Sequence, residues 1–96
     1  MSKGYVYILS NIERTTLYIG VTSSITKRVW DHKQGEASLF TTKYTCIILL
    51  YAEEYDSISD AIAREKQLKN WKRAWKWALI KKSNPDLIDW YPTLRG

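Results

Sequence analysis

The stretch YVYILSNIERTTLYIGV, residues 5–21, combines two strand-like segments with a polar segment between them. The outer segments, Tyr5–Leu9 and Leu17–Val21, are rich in the β-branched and aromatic residues that favour β-strands. The middle segment, Asn11–Thr16, has the polar composition of a turn. The stretch therefore predicts a β-hairpin, and the rest of the fold is built outward from it.

The remaining chain alternates between helical periodicity, one apolar run and polar connections. In chain order we predict a helix from Ile25 to just before Gly35, a polar loop over Gly35–Tyr44, a strand over Cys46–Tyr51, a helix over Ile58–Asn70 and a helix from Trp71 to Lys82 that Pro85 closes. The apolar run is typical of a strand buried on both faces, so we expect it in the centre of the sheet. Ser57 and Asp60 resemble a capping box at the start of the following helix.

The predicted order β-β-α-β-α-α indicates an α+β fold, with a small, mainly antiparallel three-stranded sheet flanked by helices. The 96 residues suffice for one hydrophobic core. We therefore expect a single domain over residues 1–96, with its body at about residues 3–82 and a C-terminal tail at 83–96. The tail has no clear period, and we expect Leu87 or Trp90 to pack onto the body before the chain frays.

Composition narrows the class of protein. Hydrophobic residues make up 45% and charged residues 26% of the chain, which is typical of a folded protein and not of a disordered one. Cys46, the only cysteine, is expected to be a small buried hydrophobe, and one cysteine with one histidine excludes a zinc site built from those ligands. The sequence contains neither a long apolar span nor a signal-peptide pattern, so we expect a soluble, cytoplasmic protein.

Positive charge is concentrated near the C-terminal end. The net charge of the chain is +5, whereas residues 64–82 alone carry eight basic residues and one acidic residue, a local charge of +7. Such a stripe suggests a polyanionic partner such as nucleic acid, and a solvated helix face is the alternative. The candidate nucleic-acid-binding residues are Lys66, Lys69, Lys72, Arg73 and Lys76.

One carboxylate stands where an apolar residue is expected. Glu65 falls within the apolar stripe of the helix predicted over Ile58–Asn70. Burial of a carboxylate is costly unless a cation accompanies it. The cation is either a metal ion or a neighbouring Lys or Arg, and both alternatives stay open from the spacing alone.

Two further pairs carry polar chemistry. Arg28 and His32 are spaced i, i+4 on one helix, where Arg suits two-point binding of phosphate and His exchanges a proton near neutral pH. If residue 10 pairs with residue 15, Tyr7 lies directly opposite Tyr18 on one face of the hairpin. Ordinary surface positions for the first pair, and cross-strand aromatic packing for the second, are the structural alternatives. Gly20 either lets another group approach the backbone or marks a bend.

These residues stand in the order of a known family. The chain resembles the GIY-YIG nuclease superfamily: Tyr5-Val6-Tyr7 is a variant of the first motif, and Leu17-Tyr18-Ile19-Gly20 carries the Tyr-Ile-Gly of the second. Lys27–His32 matches the family's Arg-x-x-x-His helix, and Ala63–Lys69 matches the segment with the metal-binding Glu. The resemblance covers roughly residues 3–82 and is greatest to a small stand-alone branch related to the N-terminal domain of the excinuclease C subunit.

The resemblance implies a metal-dependent endonuclease that hydrolyses phosphodiester bonds of DNA, in a setting of DNA repair. By position, Glu65 would hold one Mg²⁺ or Mn²⁺ ion and Tyr7 would help to deprotonate the attacking water. Tyr18 would support that site, Arg28 would neutralise the scissile phosphate, and His32 would assist proton transfer or position the phosphate.

The sequence also departs from the family pattern. Tyr5 replaces the first glycine of the first motif, and neither Asn70 nor Asn84 is a clear match for the asparagine that many members use. We expect no second DNA-binding domain, so targeting would come from DNA shape, from a dimer or from another protein. Two alternatives remain: a non-catalytic nucleic-acid-binding module, and an interaction domain that docks partners on its Trp-rich helix.

Overall fold

The computed structural model describes residues 3–95, in which one sheet is covered by helices on both faces. Its elements in chain order are β1 (Gly4–Ser10), β2 (Leu17–Thr22), α1 (Ile25–Lys33), α2 (Leu39–Tyr44), β3 (Ile48–Tyr55), α3 (Ile58–Lys69), α4 (Arg73–Ser83) and α5 (Tyr91–Arg95). The predicted α+β class with a three-stranded antiparallel sheet is confirmed. The predicted order omitted two short helices, α2 and α5.

The hairpin forms where it was predicted, but its register differs by two residues. Strand β1 pairs with β2 so that Leu9 faces Tyr18 and Tyr7 faces Gly20, and the predicted pairing of Tyr7 with Tyr18 is wrong. The cause lies in the turn: Asn11 accepts hydrogen bonds on Oδ1 from the amides of Thr15 and Thr16. Those two residues are held in the loop and cannot start the ladder. Because side chains alternate with a period of two, this shift leaves both tyrosines on one face.

The sheet order is β2-β1-β3, so the centre is β1 and the prediction of a central third strand is wrong. Strand β3 also runs later than predicted, over Ile48–Tyr55 instead of 46–51. An apolar run indicates that both faces of a strand are buried, but it does not indicate whether the strand lies at the centre or at the edge of the sheet. The free edge of β3 is partly covered by the tail, where Asp89 accepts from the Leu49 amide at 3.0 Å and Trp90 donates to the Leu49 carbonyl at 2.8 Å.

Each face of the sheet has its own hydrophobic core. Val6, Ile8 and Leu50 pack under α3 and α4, whereas Tyr7, Leu9 and Leu49 face α1 and the tail. The helix residues that complete the two cores are Ala61, Leu68 and Ile80 on the first face, and Ile25, Val29 and Tyr91 on the second. The candidate tyrosines therefore share a compartment with α1.

Helix α3 is seated close to β1 because Gly4 has no side chain. A Cβ on Gly4 would lie 2.8 Å from the Cα of Ile58 and 2.7 Å from the Cβ of Ala61. Ser57 begins the helix as predicted, since its Oγ accepts a hydrogen bond from the Asp60 amide. This close approach fixes the position from which α3 presents Glu65.

Residues 35–44 are not the polar loop that the composition suggested, because α2 occupies Leu39–Tyr44. Ser38 caps this helix by accepting a hydrogen bond from the Thr41 amide, and Thr45 ends it in a left-handed conformation with φ of 54°. Phe40 and Tyr44 of this helix are neighbours one turn apart, with ring centroids separated by 4.7 Å.

The C-terminal third departs in detail from its prediction. Helix α4 begins at Arg73 instead of Trp71 and buries Ile80, whereas Trp75 is 53% exposed. Leu87 and Trp90 are partly buried as expected, and the tail continues into α5 instead of fraying. Cys46 is fully buried, as predicted. Within residues 3–95, every helix is too short or too polar to cross a bilayer.

Candidate active site

Tyr7, Tyr18 and His32 meet on the α1 side of the sheet, although they come from three different elements. The ring centroids are separated by 6.3 Å for Tyr7 and Tyr18, 5.5 Å for Tyr7 and His32, and 5.3 Å for Tyr18 and His32. Three residues far apart along the chain thus form one compact cluster.

The ring of Tyr7 crosses directly over Gly20 of the neighbouring strand. A Cβ on Gly20 would lie 2.4 Å from both Cζ and the phenolic oxygen of Tyr7, a distance that no real side chain tolerates. The alternatives left open for this glycine are therefore resolved in favour of a close approach. The glycine gives the buried phenol, 1% exposed, its place at the cluster.

His32 is held by hydrogen bonds on both ring nitrogens. Its Nε2 lies 2.9 Å from the hydroxyl of Tyr7, and its Nδ1 lies 3.0 Å from the hydroxyl of Thr41. Burial and the nearby Arg28 guanidinium lower the pKa of His32 to about 4. The imidazole is therefore neutral at pH 7, and one of its nitrogens carries a lone pair.

The position of the imidazole proton follows from Thr41. Ser38 offers the Thr41 hydroxyl two acceptors, its Oγ at 2.8 Å and its carbonyl oxygen at 3.2 Å, and donation to either leaves the lone pairs of Thr41 unused. The Thr41 oxygen is then free to accept from Nδ1–H of His32. This assignment leaves the lone pair on Nε2, which accepts the hydrogen bond from Tyr7. Sequence reasoning missed Thr41, because nothing in its spacing from His32 indicates contact.

Tyr7 is protonated at neutral pH. Burial, reinforced by Tyr18, raises its pKa to about 12; Arg28 acts in the opposite direction, and Glu65 adds to the rise. The phenol thus senses the charges of both remaining candidates, Arg28 on α1 and Glu65 on α3. Arg28 and Glu65 are thus both near enough to Tyr7 to influence the pKa of its phenol.

Arg28 is half-buried and has spare hydrogen-bonding capacity. Its Nη2 donates to the Ala37 carbonyl at 3.4 Å, which is long for such a bond. Within residues 3–95, no carboxylate lies within salt-bridge distance of Arg28. A guanidinium without a carboxylate partner is well suited to binding a phosphate through two N–H groups.

Glu65 is nearly buried and paired with a lysine. Its side chain is 14% exposed, and its Oε2 lies 3.1 Å from Nζ of Lys69, one helical turn away. The salt bridge considered from the sequence is therefore present. The lysine is 53% exposed, and such half-solvated pairs contribute only about 0–1 kcal/mol. An incoming divalent ion thus competes with a weak partner.

The donor set suits a hard, hydrated cation. Among residues 3–95, no three His, Cys, Asp or Glu side chains gather closely enough to enclose a metal. A lone, nearly buried carboxylate matches Mg²⁺, which keeps several of its waters and accepts few protein ligands. Glu65 fits this arrangement, and it does not fit a closed zinc site.

Two of the five predicted basic residues reach the cluster. Lys69 and Lys76 line a cavity of about 300 Å³ together with Tyr18 and Phe40. Lys72 instead lies over the ring of Trp75 at 5.6 Å, and Lys66 is exposed away from this cavity lining.

Arg73, the fifth predicted basic residue, is tied to the protein itself. It donates to the Thr15 carbonyl and lies over Trp77 at 5.8 Å. Asn84 is likewise used structurally, since its amide nitrogen donates to the carbonyls of Leu50 and Ile88. Asn70 is an exposed residue at the end of α3.

Fold and site together define a domain of the GIY-YIG type. A family model described as the GIY-YIG catalytic domain matches residues 3–84, and the chain belongs to this family. Within it, the chain is similar to UPF0213 proteins: it is 41% identical over 87 residues to one from Syntrophus aciditrophicus, covering 90% of this chain and 98% of the relative. It is also 40% identical over 76 residues to one from Natronomonas pharaonis, covering 79% and 88%.

A solved structure supports the fold. The solution NMR structure of a UPF0213 protein from Bacillus halodurans superposes with a TM-score of 0.55, covering 85% of this chain and 86% of that one. At 24% sequence identity, this similarity bears on the architecture and not on the reaction.

Proposed function

We propose that this protein is a divalent-metal-dependent endonuclease that hydrolyses phosphodiester bonds of DNA. The observation that carries the proposal is the buried hydrogen bond of 2.9 Å between Tyr7 and His32, set between a guanidinium and a carboxylate in a chain of the GIY-YIG family. Pure core packing does not need a phenol, an imidazole and two opposite charges in one place.

Arg28 would bind the scissile phosphate. Its guanidinium lies beside the phenol and has no carboxylate partner in the described chain, so an anionic phosphate oxygen is its best available ligand. Binding there would place the phosphorus next to Tyr7. It would also offset the positive charge that depresses the pKa of His32.

Tyr7 would pass a proton from the attacking water to His32. A phenol whose pKa is about 12 cannot accept a proton until it releases its own, and Nε2 of His32 lies 2.9 Å away to receive it. The water would thus lose one proton to the Tyr7 oxygen as the Tyr7 proton moves to Nε2. Thr41 would hold the resulting imidazolium through its Nδ1–H.

Glu65 would hold the metal ion. When bound, Mg²⁺ or Mn²⁺ would neutralise negative charge on the phosphate and on the departing oxygen. Tyr18, in contact with both Tyr7 and His32, would exclude solvent from the proton path and orient the water.

A non-catalytic nucleic-acid-binding module is the second candidate. The observation in its favour is the ion pair between Glu65 and Lys69, which occupies the proposed metal ligand with a protein cation. In that case the same cavity and lysines would bind DNA without hydrolysing it.

Nicking of supercoiled plasmid, assayed with Mg²⁺, Mn²⁺ or EDTA, distinguishes the two. We expect cleavage by the wild type with either metal and none in EDTA, with a loss of about 10²-fold or more for Tyr7→Phe. Tyr55→Phe is the matched control, because that phenol is bonded to Glu53 away from the cluster and should leave cleavage unchanged. Folded wild-type protein that binds DNA as tightly as Glu65→Gln and cuts with neither metal would establish the binding module instead.

A further inference from the structure

The cavity beside Tyr18 has two kinds of wall. Leu17, Ile19, Tyr18 and Phe40 form an apolar and aromatic part, and Lys69 and Lys76 form a cationic part. Lys69 is 53% exposed and paired with Glu65 at 3.1 Å, whereas Lys76 has no carboxylate partner among residues 3–95. The cavity volume of about 300 Å³ is at the lower end for sites that bind small planar ligands. No carboxylate lines it, so the lining as a whole favours an anion that carries an apolar ring.

The Phe40 side chain is partly exposed, and its neighbours fix the orientation of its ring. It is 42% exposed, and its ring lies 5.8 Å from that of Tyr18 at an angle of 31°. Its neighbour Thr41 is buried and hydrogen-bonded to His32, and Tyr44, one helical turn further on, also packs against Phe40. An aromatic ring fixed in this way loses little conformational entropy when a ligand covers it.

The other aromatic residues at the surface are differently placed. Trp30 and Tyr44 are 47% and 42% exposed, and neither lines the cavity. Trp75 is 53% exposed, whereas Trp71 and Trp77 are partly buried. Trp71, Trp75 and Trp77 each have the cation of an Arg or Lys over the ring, at 5.1, 5.6 and 5.8 Å respectively. None of them lines the cavity. The position for stacking a ligand ring is therefore on α2 beside the candidate active site, and not on the Trp-rich segment.

We propose that this cavity holds an unpaired nucleobase of the DNA, stacked on Phe40 with the adjoining phosphate bound by Lys69 and Lys76. Inside a duplex each base is covered by its neighbours, so only an unpaired base presents a free face to an aromatic ring. Since Tyr18 belongs both to the cavity lining and to the catalytic cluster, that base lies next to the phosphate that is cut. The substrate class is thus DNA with an unpaired nucleotide at the cleavage point. This inference rests on the proposed nuclease function for its substrate.

The test compares three duplexes of one sequence, by fluorescence anisotropy in EDTA so that none is cleaved. One is fully paired, one has a single extrahelical adenine, and one has an abasic residue in place of that adenine. The abasic duplex keeps the bulged backbone and its charge and lacks only the ring. We expect the wild type to bind the adenine bulge about tenfold more tightly than the abasic bulge.

Two variants locate the effect. Phe40→Leu should lose this preference while binding the abasic and paired duplexes as the wild type does. Trp30→Leu is the matched control: Trp30 is 47% exposed on α1, outside the cavity lining, and its loss should leave the preference intact. Circular dichroism verifies that both variants fold.

Equal affinity of the wild type for the adenine and abasic bulges, or an unaltered preference in Phe40→Leu, would overturn the inference. The plasmid assay separates this result from the fate of the proposed function. A preference without cleavage leaves the base site standing and removes the nuclease. Cleavage without a preference for the adenine bulge would support the nuclease function and remove the base site.

Discussion

The phenolic oxygen of Tyr7 lies directly against Gly20, only 2.4 Å from the position that a Cβ at residue 20 would take. Any other residue at position 20 would therefore clash with the Tyr7 ring. The Gly of the second motif and the Tyr of the first are therefore one structural unit, formed by direct pairing of the two residues in the β1–β2 ladder. In the proposed mechanism the glycine would therefore matter, although it has no side chain, because it leaves room for the Tyr7 ring.

Gly20→Ala should displace the Tyr7 ring and break its hydrogen bond to His32. We expect a loss of about 1–3 kcal/mol in the free energy of unfolding, as for other overpacked cores, and at least a tenfold loss of plasmid nicking. Val21→Ala is the control on the same strand, because Val21 packs on the opposite face under α3 and should affect stability alone. Unchanged nicking by folded Gly20→Ala would show that the position of Tyr7 does not matter.

Thr41→Val tests the assigned tautomer of His32. The substitution keeps the shape and removes the acceptor for Nδ1–H, and an unpaired buried donor costs about 1–3 kcal/mol. We expect the imidazole proton to move toward Nε2, with a loss of cleavage at unchanged DNA affinity. Because the chain has one histidine, ¹⁵N NMR of the imidazole reads the tautomer without ambiguity.

Thr41→Ser serves as the control for that experiment, since it keeps the hydroxyl and should retain both tautomer and cleavage. A pH–rate profile distinguishes loss of the His32 tautomer from general damage to the fold. Loss of the acceptor should shift the pH dependence of cleavage in Thr41→Val and not in Thr41→Ser. If Thr41→Val keeps the Nδ1–H tautomer and the wild-type rate, the hydroxyl has no part in positioning His32.

His32 should make the protein less stable as the solution becomes mildly acidic. Its pKa is lowered from 6.5 to about 4 by burial and by Arg28, so below pH 6.5 the unfolded chain binds a proton that the folded chain does not. Stability is then full above about pH 6.5 and falls as the pH falls, by on the order of 3 kcal/mol at pH 4.

Urea unfolding between pH 7.5 and 4.5 measures this slope. Glu53 and Asp89, whose carboxyl pKa values are lowered in the fold, lose their contributions only at lower pH. His32→Gln should therefore flatten the curve in the upper window, whatever its overall stability. A slope that persists in His32→Gln would assign the effect to another group.

The elements that sequence patterns predicted best are those whose signals are local. Helices α1 and α3 have periodic apolar residues, and Ser57 caps α3 through a contact with its own third neighbour. The register of the hairpin was missed because it depends on the side chain of Asn11 reaching Thr15 and Thr16. The alternation of side chains still assigned Tyr7 and Tyr18 to one face, since that property survives a shift of two residues.

The residues of the candidate site can also be separated into those that sequence patterns predict and those that they do not. The five predicted residues stand in a motif order that the sequence displays. The fold brings Tyr7, Tyr18 and His32 into contact, with Arg28 and Glu65 near enough to influence the pKa of Tyr7. Thr41 and Phe40 were out of reach because both lie on α2, a six-residue helix whose polar composition resembles a loop. The lateral position of β3 was also out of reach, because burial on two faces does not distinguish a central strand from a covered edge.

In the proposed mechanism, the ion pair between Glu65 and Lys69 would set the concentration of metal needed for cleavage. A divalent ion must displace the ammonium from Oε2, and a half-exposed pair of this kind is worth about 0–1 kcal/mol. Lys69→Ala should therefore lower the Mg²⁺ concentration for half-maximal cleavage by up to about fivefold, measured at saturating DNA so that weaker DNA binding does not enter. Lys3→Ala, which removes the same charge from a pair with Glu54, is the control and should leave the Mg²⁺ requirement unchanged. A higher Mg²⁺ requirement in Lys69→Ala would show instead that the lysine holds Glu65 in place for the ion.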